Sequence, residues 1–242
     1  MTRLTTTPIG CHPFDCWQFT PEGAAVHAAR QIAVIADVHL GYEWARISAG
    51  EIIPAHSLAE TLTRLGRLLD RFPISQLVVA GDLVESPRPC SRTAADVARL
   101  VDWLADRGVT LLLLEGNHDR SLSFHALKAR LAPDQIQQTL TIDAWTIAHG
   151  HQPRSAARTL SGHHHPVLRV SGVGAPCFLA APNQIILPAF SCNAAGCDVR
   201  TAILPQEWPN SSLYCFVSTG AEVLNFGPLD RLRARPRPTH PL

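Results

Sequence analysis

The chain lacks what would carry it into a membrane or out of a cell. No apolar run approaches the roughly 20 residues that a bilayer-spanning helix needs. Residues Met1 to Gly10 lack the apolar core of a secretory signal. A cytoplasmic protein with no membrane partner is expected. The cysteines are too few and too scattered for a framework: seven, an odd number, from Cys11 to Cys215, with no C-x-x-C. That excludes both a disulfide scaffold and a zinc ribbon. Cys11 and Cys16 share one spacing with Cys192 and Cys197, and both pairs are read as small buried hydrophobes. Lysine is almost missing, with Lys128 alone among 21 basic residues. The net charge of +1 excludes a strong nucleic-acid field over the whole chain. Only the end is locally basic, where Arg231, Arg233, Arg235 and Arg237 alternate with Pro and other residues. Such a segment should be disordered.

What the chain has in quantity is apolar residues, 46% against 17% charged, over 242 residues. That suffices for one layered domain over residues 1–230, followed by the Arg/Pro-rich tail 231–242. Gln31 to Ala36, Leu77 to Ala80 and Val109 to Leu114 read as buried strands. Between them, Leu58, Leu62, Leu65 and Leu69 recur at helical spacing over about Ser57 to Arg71, and Val97, Leu100, Val101 and Leu104 do so after a Ser91 N-cap. Strand–helix alternation argues for a parallel sheet flanked by helices. Beyond Leu131 no strong helical period appears. Thr141 to Ala148, Val167 to Val170, Phe178 to Ala181, Gln184 to Leu187, Val199 to Leu204 and Tyr214 to Val217 read as short strands of a mainly antiparallel second sheet.

The other abundance is histidine: twelve, seven of them between His118 and His165. Polar residues follow the predicted strands as Asp37-Val-His39, Gly81-Asp82, Gly116-Asn-His-Asp119, His149-Gly-His151 and Gly162-His-His-His165. In layered α/β folds such strand ends converge on one crevice. Carboxylates, an amide oxygen and imidazoles suit manganese, iron, zinc, cobalt or nickel, and no thiolate favours a softer ion. If the strand ends stay extended, Asp37 and His39 point one way, as do His163 and His165, and each pair can grip one metal.

The motifs D-x-H, G-D, G-N-H-D, H-G-H and G-H-x-H, in this order over about Ile32 to Pro166, resemble the calcineurin-like metallophosphoesterase superfamily. Ala36 to Gly41, Gly162 to Pro166, Pro176 to Phe178 and Leu187 to Phe190 are similar to the bacterial ligase-associated DNA-damage-response endonucleases. The resemblance implies a four-layer α/β/β/α sandwich with two divalent metals, manganese first among the candidates. Asp37, His39 and His165 would bind one metal and Asn117, His149 and His163 the other, with Asp82 bridging both. Of the rivals His149 and His151, the first ends the Trp145 to Ala148 run, where the superfamily places its ligand. A hydroxide held between the metals would attack a phosphoester, His118 would be the general acid, and Asp119 would orient it.

DNA is the implied substrate, with DNA ligase or helicase repair proteins as implied partners. A small-molecule nucleotide phosphodiesterase or pyrophosphohydrolase is the alternative, and a catalytically silent scaffold of the same fold comes third. The sequence departs from the relatives at Val84-Glu85-Ser86, where they often carry a basic or histidine residue after G-D-L. His12, His27, His56, His125 and His240 are read as ordinary core or solvated imidazoles. Trp17, Trp103, Trp145 and Trp208 are read as packing residues.

Overall fold

A strand covered on both faces must be apolar at every position, and three runs in the first half meet that demand. The computed structural model describes residues 17–121, 131–152, 156–202 and 213–233. In it β3 (Ile32–Ile35), β4 (Gln76–Ala80) and β5 (Thr110–Leu114) pair in parallel, with Val34 opposite Val78 and Val78 opposite Leu112. Side chains alternate between the two faces of the sheet. Ala33, Ile35, Leu77, Val79, Leu111 and Leu113 pack on one side against Leu65 and Leu68 of α2 (Ser57–Arg71) and Leu100 and Leu104 of α3 (Ser91–Ala105). Val34, Val78, Ala80, Leu112 and Leu114 pack on the other side against the second sheet.

The first sheet has the order β1-β2-β3-β4-β5-β6, where β1 (Trp17–Phe19) and β2 (Ala25–His27) are antiparallel additions and β6 (Ile136–Gln137) is parallel to β5. The second contains β7 (Leu140–Ile142), β8 (Trp145–Ala148), β9 (Thr159–Ser161), β10 (Pro166–Val170), β11 (Val173–Ala181), β12 (Gln184–Ile186), β13 (Cys197–Asp198), β14 (Tyr214–Ser218) and β15 (Val223–Pro228). Its order is β13-β10-β11-β12-β9-β8-β7, with β14 joining β11 to β15. Trp145, Ile147, Leu160, Phe178, Ile185 and Phe216 form its inner face. On the outer face Leu179, Cys215 and Val217 lie under Leu229 and Leu232 of α4 (Leu229–Arg233). This is the four-layer α/β/β/α arrangement, and among the described residues the last layer is thin. No helix among them is long and apolar enough to cross a membrane.

The N-terminus of α2 is held from outside the helix. Glu43, on α1 (Tyr42–Ser48), accepts from the backbone N–H of His56 and Ser57 and from the Ser57 hydroxyl at 2.8, 2.6 and 2.7 Å. A carboxylate there meets the positive end of the helix. Burial would raise the Glu43 carboxyl, but these bonds hold it below its ordinary value.

Several elements differ from the sequence reading. Ser91 is the first residue of α3 rather than its cap, and no side chain caps that helix. Thr141 to Ala148 is a hairpin, not one strand, because Asp143 turns the chain at φ 52° between β7 and β8. The strand placed at Val199 to Leu204 is absent from residues 199–202, which turn and bend just after the short strand Cys197–Asp198, and residues 203 and 204 lie outside the described residues. The second sheet is mainly antiparallel as expected, with β8–β9, β9–β12 and β10–β13 as parallel exceptions. The boundary at 231 falls inside α4, where Arg233 donates to the carbonyls of Val199 and Ala202 at 2.7 and 2.9 Å. Arg231 and Arg233 are therefore in the fold, whereas Arg235 and Arg237 lie outside the described residues, as do Cys11, Cys16, His12, His125, His240 and Trp208.

Candidate metal centre

Three strands deliver their next residues to one end of the first sheet, and two loops of the second sheet reach the same place. Asp37 and His39 follow β3, Asp82 follows β4, and Asn117 and His118 follow β5; His149 follows β8, and His163 and His165 follow β9. Beyond their ladders the loops continue to pair. His39 N–H donates to Asp82 O at 3.0 Å, Leu40 N–H to Leu83 O at 2.9 Å and Glu85 N–H to Leu40 O at 2.9 Å. On the other side Gly162 N–H donates to His149 O, and Ser191 N–H to Asp37 O.

The ligands form two clusters. In the first, Asp37 Oδ1 lies 3.2 Å from His165 Nε2, and His165 Nε2 lies 3.4 Å from His39 Nε2. In the second, His149 Nε2 lies 3.1 Å from Asn117 Oδ1, 3.1 Å from His163 Nδ1 and 3.3 Å from Asp82 Oδ2. The clusters adjoin at Asp37, whose Oδ2 accepts from His163 N–H at 2.8 Å. His149 settles its own tautomer, because its Nδ1 faces the Ala80 carbonyl at 3.1 Å. A carbonyl only accepts, so Nδ1 carries the proton and Nε2 presents a lone pair to the cluster.

The donor set fits divalent metals. Atoms bound about 2.1 Å from one ion stand roughly 3.0–3.4 Å from one another, which matches the distances from His165 Nε2 and His149 Nε2 to their neighbours, and all carboxylate and imidazole donors of a cluster lie within 4.8 Å of one another. Asp37 Oδ1 is buried yet accepts no hydrogen bond, an arrangement that costs free energy unless a cation satisfies it. Gly116 and Gly162 supply room for the carboxylates. A Cβ on Gly116 would stand 2.1 Å from Asp82 Oδ1, and one on Gly162 would stand 2.5 Å from Asp37 Oδ2.

The ionisable side chains of the site also act on one another. Burial works to raise the Asp82 carboxyl, but the His149 imidazole and the His118 backbone N–H overcome it and hold Asp82 at about 2. Burial, together with the neighbouring His149 and His164, pushes His163 down to about 4, leaving the neutral form that binds metal. His149 and His165 move upward despite burial because carboxylates face them: chiefly Asp82 for His149 and Asp37 for His165.

All seven predicted ligands come together, and so does His118, but the local geometry departs from the extended strand ends. Asp37, His39, Asp82, His163 and His165 all have positive φ, between 45° and 72°. This left-handed region is costly for side chains with a Cβ, and such strain gathers at functional sites. One consequence is that His163 and His165 serve different clusters instead of gripping one metal together. His151 stands beside His149, with ring centroids 5.2 Å apart, and belongs to neither cluster. Asp119 does not hold the His118 ring. Its carboxylate accepts from the backbone N–H of Gly116 at 2.9 Å and of Val84 at 3.2 Å, locking two ligand loops together. The His118 Nδ1 is held instead by the Glu85 carbonyl, leaving Nε2 4.0 Å from Asp82 Oδ2.

Glu85 is the residue the sequence left unassigned. Its Oε2 lies 3.0 Å from His39 Nδ1, the ring nitrogen opposite the one in the first cluster. Its position was readable only from the pairing of the Leu40 and Val84 loops. The other histidines and tryptophans behave as expected where described: His27 is buried against Asp143 at 3.1 Å, and Trp17 and Trp145 are in the core. Cys177 and Cys215 are buried free thiols, but Cys192 is exposed.

A two-sheet α/β fold with two adjoining clusters of imidazole, carboxylate and amide donors is a candidate centre for divalent metals. A model of the calcineurin-like phosphoesterase family matches residues 30–172, and the chain belongs to that family. The crystal structure of Pseudomonas putida nuclease MPE is similar over 86% of this chain and 94% of that one, with a TM-score of 0.65 and 26% identity. The DNA double-strand break repair protein Mre11 of Methanopyrus kandleri is 30% identical over 89 residues, 37% of this chain. That match spans only 19% of the Mre11 chain.

Proposed function

We propose that the protein is a metal-dependent nuclease that hydrolyses DNA phosphodiester bonds, with His118 as the general acid and a role in DNA repair. The observation that carries this reading is the pair of ligand clusters with His118 beside them, its Nε2 turned toward Asp82. Divalent metals held by Asp37, His39 and His165 and by Asn117, His149 and His163, with Asp82 between, would neutralise phosphoryl oxygens and supply a nucleophile at neutral pH. Manganese comes first among the ions for this donor set.

The chain's own groups do the rest. With its Nδ1 fixed on the Glu85 carbonyl, the His118 ring cannot turn away, and Nε2 is the atom that carries the proton to a leaving alkoxide. Asp119 fixes the backbone on either side of that ring by binding Gly116 and Val84 N–H. The roles of the two relatives, a nuclease and a double-strand break repair protein, support DNA over other phosphoesters. Repair proteins such as a DNA ligase or helicase are the proposed partners.

Protein stripped of metal and reloaded with manganese, iron, zinc, nickel or cobalt should cleave DNA, with manganese the most effective. Single-stranded DNA, duplex DNA, RNA, cyclic nucleotides and a chromogenic phosphodiester form the panel. Preference for a cyclic or mononucleotide over every DNA would replace this reading with a small-molecule phosphodiesterase. Loss of all hydrolysis under every metal would remove it.

A further inference from the structure

The His165 imidazole opens onto a second feature. A cavity of about 570 Å³ runs from that ligand between α2, β10 and the turn after β14, and three arginines line it: Arg64, Arg67 and Arg169. This volume lies within the range of roughly 300–1,000 Å³ over which small-ligand and cofactor pockets are built.

The arginines are held differently. Arg64 is anchored, with Nη1 on the Phe190 carbonyl at 2.6 Å, Nη2 on the Glu22 carbonyl and its guanidinium over the Phe190 ring at 4.2 Å. All of these direct partners are neutral, and the Glu60 and Glu22 carboxylates act on its charge from nearby. Arg67 lies one turn further on the same helix face and is exposed, with no hydrogen bond or ion pair among the described residues. Arg169 reaches in from β10 and is steadied by one bond to the Ala195 carbonyl. Against these three charges the wall carries one carboxylate among the described residues, Glu60.

We propose that this cavity is the subsite for the polynucleotide strand running away from the scissile phosphate, with Arg67 and Arg169 contacting its flanking phosphates. The proposal rests on the nuclease reading and adds which surface holds the substrate. Among the described residues no Phe, Tyr or Trp lines the cavity, so they offer it no base-stacking platform, the usual source of base-dependent affinity for single strands. What the cavity offers instead is guanidinium groups and a floor of Gly and Ala that lets a backbone approach. That chemistry recognises phosphates whatever bases they carry. It also explains how a chain of net charge +1 could hold DNA: the positive charge is placed beside the metals rather than spread over the surface.

The test uses the full-length metal-loaded protein, the charge reversal Arg67→Glu, and the double variant Arg67→Ala with Arg169→Ala. Arg67→Glu is the cleaner variant, since Arg67 has no partner to lose, and thermal melting checks folding of both. A fluorescein-labelled oligodeoxythymidylate of about twelve nucleotides is bound in calcium at several salt concentrations. Its labelled oligodeoxyadenylate counterpart follows, and cleavage of each is compared with hydrolysis of thymidine 5′-p-nitrophenyl phosphate. Each lost phosphate contact should lower the slope of log affinity against log salt by about 0.7. Affinity should fall roughly tenfold in the double variant, and the ratio of oligonucleotide to small-diester kcat/KM should fall with it.

Both homopolymers should be affected alike. Unchanged affinity and salt slope in both variants would overturn the subsite. So would a small-diester rate that falls in parallel with the oligonucleotide rate, because the arginines would then be acting at the metals. The nuclease reading fails separately, if the unaltered protein cleaves no polynucleotide under any metal even though the binding arm responds to the arginines.

Discussion

In the second cluster the His149 side chain is 1% exposed and its outer ring nitrogen rests on the Ala80 carbonyl, part of β4 itself. In the first cluster the His165 side chain is 22% exposed at the mouth of a cavity, and His39 leans on Glu85, 26% exposed. Backbone groups in the parallel sheet therefore preorganise one site, and a loop carboxylate supports the other. A buried site with a fixed tautomer pays little reorganisation on binding metal, whereas an open one supported by a flexible side chain exchanges more readily. The difference predicts a division of labour for bound metals: tighter holding on the sheet side and readier exchange at the open side. Stepwise chelation should remove metal in two phases, with the first-cluster ion leaving first.

Removing the anchor of the tight site has the largest expected effect. His149→Ala deletes the atom on which Asn117, His163 and Asp82 converge. Elemental analysis should find one metal instead of two, and hydrolysis should drop by roughly 10³-fold or more, the several kcal/mol that a metal supplies to phosphoryl transfer. Two bound metals and near-normal rates in this variant would break the comparison at its root.

His118→Ala should keep both metals, because His118 belongs to neither of the clusters that gather the predicted ligands. It should slow an alkyl phosphodiester by about 10²- to 10⁴-fold, the usual worth of general acid catalysis, and a nitrophenyl ester by less. Equal losses on both substrates would assign His118 to positioning rather than proton donation.

The same contrast shows why some features were legible and others were not. β3, β4 and β5 could be read because burial on both faces leaves an uninterrupted apolar signature, and the ligands could be read because chemistry restricts their residue types. The left-handed backbone at Asp37, His39 and Asp82 could not be read. Glycine, the usual sign of positive φ, is replaced there by residues chosen for their donor atoms. The break at Asp143 hid because both halves of its hairpin are apolar. The Glu43 cap and the Glu85 contact are tertiary: each depends on two loops lying side by side, which local spacing does not encode.

Glu85→Ala should weaken only the open site. Losing an outer partner of a ligating histidine typically costs about 10- to 100-fold in metal affinity. Competition with a chromogenic chelator should show that loss in the more weakly bound metal and leave the tighter one unmoved. Glu85→Gln, which keeps an oxygen toward His39 Nδ1, should recover part of it. The Glu85 carbonyl that holds His118 is backbone and survives both changes. If both metals weaken equally, the clusters are coupled more closely than their separate supports imply.

The smallest effect on metal binding concerns Asp119, which joins the two ligand loops and reaches neither metal cluster directly. It is 0% exposed, and burial pushes its carboxyl up to about 6 against an ordinary 3.8. A carboxyl raised in this way takes up a proton on folding. Its contribution favours the native state fully below the unfolded value and is lost as pH rises through about 6. The accompanying change is about 3 kcal/mol across that window. Asp119→Asn removes the titration. It also leaves a single oxygen for the Gly116 and Val84 N–H groups, a pH-independent loss of about 1–3 kcal/mol. Denaturant unfolding of metal-stripped protein should therefore show the unaltered chain losing stability relative to Asp119→Asn between about pH 4 and pH 7. A stability difference that stays flat across this range would mean that the native carboxyl titrates elsewhere. The lock between the loops would then be as well formed with the charge as with the proton.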